Sequence, residues 1–200
     1  MTDTSQLIQA LSSIDQVNAK DPNTVSDGSA MRPAELVYGE RMSNALARFS
    51  EAASDHLRIA VRAQHIGRWM HPRASYPAGR TGYLKWRSDL KEHHARQAGE
   101  LMKAAGYGQS DIDRVATLIG KKGIKRDREV QVLEDVACLV FLEHYAGEFI
   151  AKHDDEKVAD ILRKTARKMS PEGAAAAAKL ELPERLGRLF ANTLAEAADG

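Results

Sequence analysis

The sequence predicts an all-α protein, a single globular multi-helix domain, and three observations carry that expectation. Ala, Leu, Glu, Lys and Arg are plentiful while aromatic residues make up only 6% of the 200 positions, a balance that favours helix over strand. Apolar residues recur three and four apart in one segment after another, and no stretch alternates with period two. Prolines and glycines then cut the chain into eight or nine such segments, with no internal repeat and no flexible linker between them.

The first segment, Leu7 to Ala19, reads as a short amphipathic helix that stops at Asp21-Pro22-Asn23, because proline disfavours helical geometry in the residue before it. A polar loop from Thr24 to Ala30 leads to Pro33, which suits a first helical turn, and a second helix runs to about Phe49. Ser54 and Asp55 open a third helix, expected to reach Met70 and close at His71-Pro72. Pro72 to Thr81 is irregular, and a long helix follows from about Gly82 to Ala105, halted by Gly106-Tyr-Gly108. Ser110 with Asp113 resembles a capping box for a helix ending near Ile119. After a basic turn, Gly120 to Arg126, the segment Arg128 to Ile150 is apolar on nearly every face and reads as a central buried helix. His153-Asp-Asp155 caps a helix to about Met169, Ser170-Pro171-Glu172 opens an alanine-rich one, and Pro183 sets off the last.

Composition narrows the function classes. The hydrophobic share is 43% and the charged share 28%, ordinary for a folded domain rather than a disordered chain. A net charge of +1 supplies no global field toward nucleic acid or a membrane, so any preference for anions must come from local clustering. The lone cysteine, Cys138, sits in an apolar run and reads as core packing. The sequence shows no basic-then-apolar leader and no run of about 20 apolar residues, so a cytoplasmic protein without a membrane partner is expected.

The strongest local signal lies between Gly67 and Ser88, where no acidic residue occurs. Arg68, Arg73, Arg80, Lys85 and Arg87 are interleaved there with Trp69, Tyr76, Tyr83 and Trp86. Guanidinium forks bind phosphate or carboxylate, and aromatic planes stack a base or sugar. Arg62 joins this set from the third helix, on a stripe with Arg58, His65 and Trp69. Neighbouring arginines would keep His65 neutral, fit for base work or metal ligation. The alternative is that these cations pair with carboxylates elsewhere in the chain. On the long helix, His94 shares a stripe with Leu90, Ala98 and Leu101 and points inward, whereas His93 shares one with Asp89, Arg96 and Glu100 and points outward. Asp135, beside Glu134 in the apolar central helix, needs a partner, since burying a carboxylate unpaired costs several kcal/mol.

Two resemblances bear on these residues. Leu57-Arg-Ile-Ala-Val-Arg-Ala-Gln-His-Ile-Gly-Arg68, His94-Ala-Arg-Gln-Ala-Gly-Glu-Leu-Met102 and Leu133-Glu-Asp-Val-Ala-Cys-Leu139 are similar, in type and order, to helices of the HD-domain superfamily of metal-dependent phosphohydrolases. The resemblance covers residues 34–150 and implies an HD-like helical core with 151–200 as a C-terminal helical extension. It implies a divalent metal on His65, His94 and Asp135, with Glu134 orienting the attacking water. The family's first histidine has no counterpart near Tyr38, and Ile66 stands where its paired aspartate follows the histidine. Gln64-His-Ile-Gly-Arg-Trp69, Tyr76-Pro77, Arg80-Thr-Gly-Tyr-Leu-Lys-Trp-Arg87, the run Leu133 to Glu143, Lys164-Thr165 and Lys168-Met-Ser170 resemble, over nearly the whole chain, an uncharacterised helical family described as a domain of unknown function.

Leu118-Ile-Gly-Lys-Lys-Gly-Ile-Lys125 matches the Gly-x-x-Gly loop of KH domains. Those domains also need three strands, so a glycine-terminated helix with a basic turn is the better reading. Lys121, Lys122, Lys125 and Arg126 could still contact phosphate. The expectation is a binder of a phosphate-bearing small molecule or nucleotide, with hydrolysis of a phosphate ester as the chemistry if it is an enzyme. A non-catalytic domain for RNA, a nucleotide or an acidic protein partner is the alternative.

Overall fold

Helices make up most of the chain in the computed structural model, which describes residues 4–198. The all-α expectation holds. The helices are α1 (Thr4–Asn18), α2 (Ala34–Phe49), α3 (Asp55–Arg62), α4 (Gly79–Ala104), α5 (Gln109–Ile119), α6 (Arg128–His144), α7 (Ala146–Ala151), α8 (Asp155–Ala166), α9 (Pro171–Ala177) and α10 (Glu184–Ala198). Side-chain caps fix several of their starts. Ser54 Oγ accepts the Leu57 N–H at 3.1 Å, Asp127 accepts those of Glu129 and Val130, and Asp154 accepts that of Lys157 at 2.8 Å.

The chain forms two compact units, Met1–Lys122 and Gly123–Gly200. In the first, α3 packs on α1, α2 and α5, and α4 packs on α1 and α5. Ile14, Met42, Ile59, Ile66, Met102 and Leu118 are fully buried there, each contributing about 1.5–3 kcal/mol by removal from water. In the second, α6 packs on α7 and α9, and α10 packs on α7 and α8, around Leu133, Leu142, Leu162 and Leu186.

Four local departures from expectation have clear causes. The polar loop after α1 holds a two-stranded antiparallel ribbon, β1 (Thr24–Ser26) with β2 (Met31–Pro33). Its turn is shaped by Asp27, whose carboxylate accepts the N–H groups of Ser29 and Ala30 and the Ser29 hydroxyl; strands of three residues are too short to show alternation. The third helix ends at Arg62, capped at Ala63, rather than at Met70, and the left-handed turn at Gly67, φ 64°, keeps it from resuming. A Cβ at Gly67 would collide with the Gln97 side-chain oxygen and lie 2.8 Å from His93 Nε2, so only glycine fits. Helix α5 starts at Gln109, with Asp111 rather than Ser110 closing the cap by accepting the Gly108 N–H at 3.3 Å. The long apolar segment breaks at Tyr145 into α6 and α7, where a β-propensive aromatic and Gly147 weaken the helix.

Candidate functional site: a cationic cleft in the first unit

Glu35 and Tyr38 lie one turn apart at the start of α2, so both side chains leave the same face. The Glu35 N–H donates to Asp21 Oδ2 at 3.0 Å, fixing that first turn. Tyr38 stacks on the His65 ring, centroids 3.9 Å apart and planes within 8°. His65 Nδ1 lies 3.3 Å from Glu35 Oε2, and His65 Nε2 is 3.3 Å from Arg68 Nη1. A guanidinium can only donate, so Nε2 accepts and the imidazole proton sits on Nδ1, facing Glu35. Arg68 also approaches Glu35 Oε1 at 3.8 Å and lies over the Trp86 ring, 4.9 Å from its centroid.

Burial sets the protonation states. Desolvation, with smaller pushes from Arg68, Lys121 and Arg87, holds His65 well below the usual histidine range. Burial raises Glu35 to about 7 against the opposing pull of Arg68. His94, reaching in from α4, donates Nδ1–H to the Ile66 carbonyl at 2.7 Å, and its ring centre is 6.1 Å from that of His65. Burial and then His65 drive its pKa to about 2. Both imidazoles are therefore neutral bases at physiological pH.

These groups wall a cleft of about 140 Å³ lined by Gln64, His65, Arg68, Tyr83, Trp86, Arg87, Leu90, Lys91, His94 and Lys121. Four lining residues are cations and none is a carboxylate. Gln64 is buried, and its side-chain oxygen has no hydrogen-bond partner. Clefts that swallow a drug-sized ligand run about 300–1,000 Å³, so this one is too small to enclose such a ligand whole.

A family model described as "Domain of unknown function (DUF4202)" matches residues 8–190. The chain belongs to the DUF4202 family. No curated protein and no solved structure matches it. The matched span takes in every residue of the cleft and most of each unit. The HD-like features expected of residues 34–150 gain nothing from the DUF4202 match.

Of the residues singled out from sequence, the DUF4202 chain brings His65, Arg68, Tyr83, Trp86, Arg87 and His94 together. Others have different occupations. Arg62 forms a two-pronged ion pair with Asp15, at 2.6 and 2.7 Å, and touches Ser43. Arg73 donates to the carbonyls of Tyr76 and Gly79, holding the loop before α4. Tyr76 packs against His71, and Lys85 pairs with Asp89, one residue past the acid-free stretch. Arg80 is exposed in the first turn of α4. His93 is buried, not outward: its Nδ1 is 3.1 Å from His71 Nε2. The helical wheel missed this because the 67–76 loop covers that face of α4.

Asp135 and Glu134 belong to the second unit. The Asp135 carboxylate accepts the Ser170 N–H at 2.8 Å, the Ser170 hydroxyl at 2.7 Å and Gln131 Nε2 at 3.1 Å. Buried Glu134 lies 3.7 Å from Lys168 Nζ. Among the described residues no group of three or more His, Cys, Asp or Glu side chains is arranged to hold a metal ion. With His65 Nε2 facing a guanidinium and the Asp135 oxygens filled, these donors do not fit the metal centre that the HD resemblance implies.

Glu35 and Tyr38 were not legible as site residues, since nothing in a helical wheel brings α2 to the turn after α3; Gln64, next to His65, and Lys91, on the α4 face of Arg87 and His94, had a signal in their spacing. Lys121 was visible as one basic residue of the Gly-x-x-Gly turn. No helix among the described residues is long and apolar enough to cross a membrane.

Proposed function

We propose that the cleft binds the phosphate group of a small phosphate-bearing ligand, a nucleotide being the carrier that suits its aromatic wall. The observation that carries the reading is the lining itself: Arg68, Arg87, Lys91 and Lys121 with no carboxylate among them, beside Tyr83 and Trp86. A phosphate offers the acceptor oxygens that guanidinium and ammonium groups need, and a base can stack on an indole. The volume supports entry of the phosphate rather than a whole nucleotide.

Titration of intrinsic tryptophan fluorescence with AMP, and with adenosine as the uncharged comparison, tests this. AMP should bind and adenosine should not. Arg87→Ala should weaken AMP by about tenfold or more, the worth of one charge-assisted contact. Equal binding of the two ligands, or of neither, ends the reading. If short RNA competes AMP away with a steep salt dependence, a polymer of phosphates is the natural occupant.

Hydrolysis of a phosphate ester is the second reading, favoured by the contact of His65 with Glu35 and its stacking on Tyr38. Once a bound phosphate draws Arg68 away, His65 Nε2 would take the proton of a water whose oxygen attacks phosphorus. The P–O bond to the alcohol breaks, and the alkoxide takes a proton from solvent. Phosphate release from AMP, with and without added Mn²⁺, should then vanish in His65→Gln.

A further inference from the structure

Helix α5 ends in a turn with a specific demand on one residue. Gly120 is the C-cap; the Lys121 N–H donates to Leu118 O at 2.9 Å and the Lys122 N–H to Thr117 O at 3.1 Å. This pair of bonds is the Schellman motif, whose first residue beyond the cap adopts a left-handed conformation and is usually glycine or asparagine. Here that residue is Lys121, at φ 53°. A side chain bearing Cβ is disfavoured there by contact with the following carbonyl. Glycines stand at positions 120 and 123, on either side of the lysine pair, yet a lysine occupies the left-handed position. Its side chain lines the cationic cleft, close enough to His65 to help depress the imidazole's pKa.

We infer that Lys121 is a ligand-binding residue of the cleft, held in a strained backbone conformation so that its ammonium can meet a phosphate oxygen; this rests on the phosphate reading of the site. The left-handed turn places Lys121, near the end of the first unit, in the lining that also holds Arg68 and Arg87. Non-glycine residues in such conformations persist where the surroundings hold them, and they concentrate at ligand clamps. The neighbouring Lys122 is exposed, has no positive φ and does not line the cleft, so it is the left-handed lysine that reaches the site.

The inference requires two effects of opposite sign from one substitution. Lys121→Gly relieves the backbone and removes the cation, so its melting temperature should rise by roughly 2–4 °C. Its affinity for AMP should fall about tenfold. Lys121→Asn, which tolerates the same conformation, should show the same binding loss, and Lys121→Arg should keep binding without the thermal gain. Lys125, also left-handed at φ 66° but exposed in the second unit, is the control: Lys125→Gly should gain stability and keep AMP affinity. If wild type binds AMP and Lys121→Gly binds it equally well, Lys121 is no ligand-binding residue while the cleft reading stands. A drop in melting temperature for Lys121→Gly overturns the strain argument. A wild type that fails to prefer AMP over adenosine removes the phosphate reading and this inference with it.

Discussion

His65 Nδ1 lies 3.3 Å from Glu35 Oε2, bringing the first turn of α2 to the turn that follows α3. Burial of Glu35 at this junction gives a pH-dependent contribution to stability with a definite sign. Glu35 ionises near 4.5 when exposed but at about 7 in the fold, because burial disfavours its charge. The folded state therefore holds a proton that the unfolded state has released between those values. Glu35 stabilises most below pH 4.5, and that contribution is lost as pH rises through 7. Glu35→Gln stays neutral throughout, so it should gain on wild type across this window, by up to roughly 3 kcal/mol. Denaturant unfolding of both proteins at several pH values measures the difference; parallel curves would show that the carboxyl is not buried as described.

His94 acts in the opposite direction. Its pKa falls from 6.5 to about 2 in the fold, so the unfolded state takes up a proton first as pH drops. Its contribution is present above 6.5 and is lost progressively below, about 1.4 kcal/mol for each pH unit. His94→Ala should remove this acid sensitivity. At pH 7.5 it should cost about 2–4 kcal/mol, since the Ile66 carbonyl loses its donor and a cavity opens. A variant as stable as wild type at pH 7.5 would contradict the 2.7 Å bond.

Arg62 separates structure from binding. Its guanidinium joins α3 to Asp15 on α1 and to Ser43 on α2. Arg62→Ala should lower stability by roughly 1–2 kcal/mol, modest because the pair is partly solvated, and leave AMP affinity unchanged. Loss of AMP binding in the folded variant would return Arg62 to the site.

Gly173 tests the second unit. Alanine is the better helix former by about 1 kcal/mol, but a Cβ at this position would lie 2.5 Å from Asp135 Oδ1. That oxygen accepts the Ser170 N–H at the start of α9. Gly173→Ala should therefore destabilise, by roughly 1–3 kcal/mol, as the carboxylate is pushed off its partners. A higher melting temperature for the variant would rule out so close an approach.

Helix content, the caps at Ser54 and Asp154, and the inward face carrying His94 follow from the sequence alone, because 3.6-residue periodicity and local capping are properties of neighbouring residues. The acid-free stretch likewise announced Arg68, Tyr83, Trp86 and Arg87. Tertiary structure decided which cations line the cleft. Arg62 met Asp15, Lys85 met Asp89, and the Asp135 carboxylate met Ser170. It also recruited Glu35, Tyr38 and Lys121 from elements with no pattern linking them to His65. Electrostatic partners are chosen by proximity in space, since the attraction weakens as charges separate, whereas a periodic pattern reports only which side of its own helix a residue occupies.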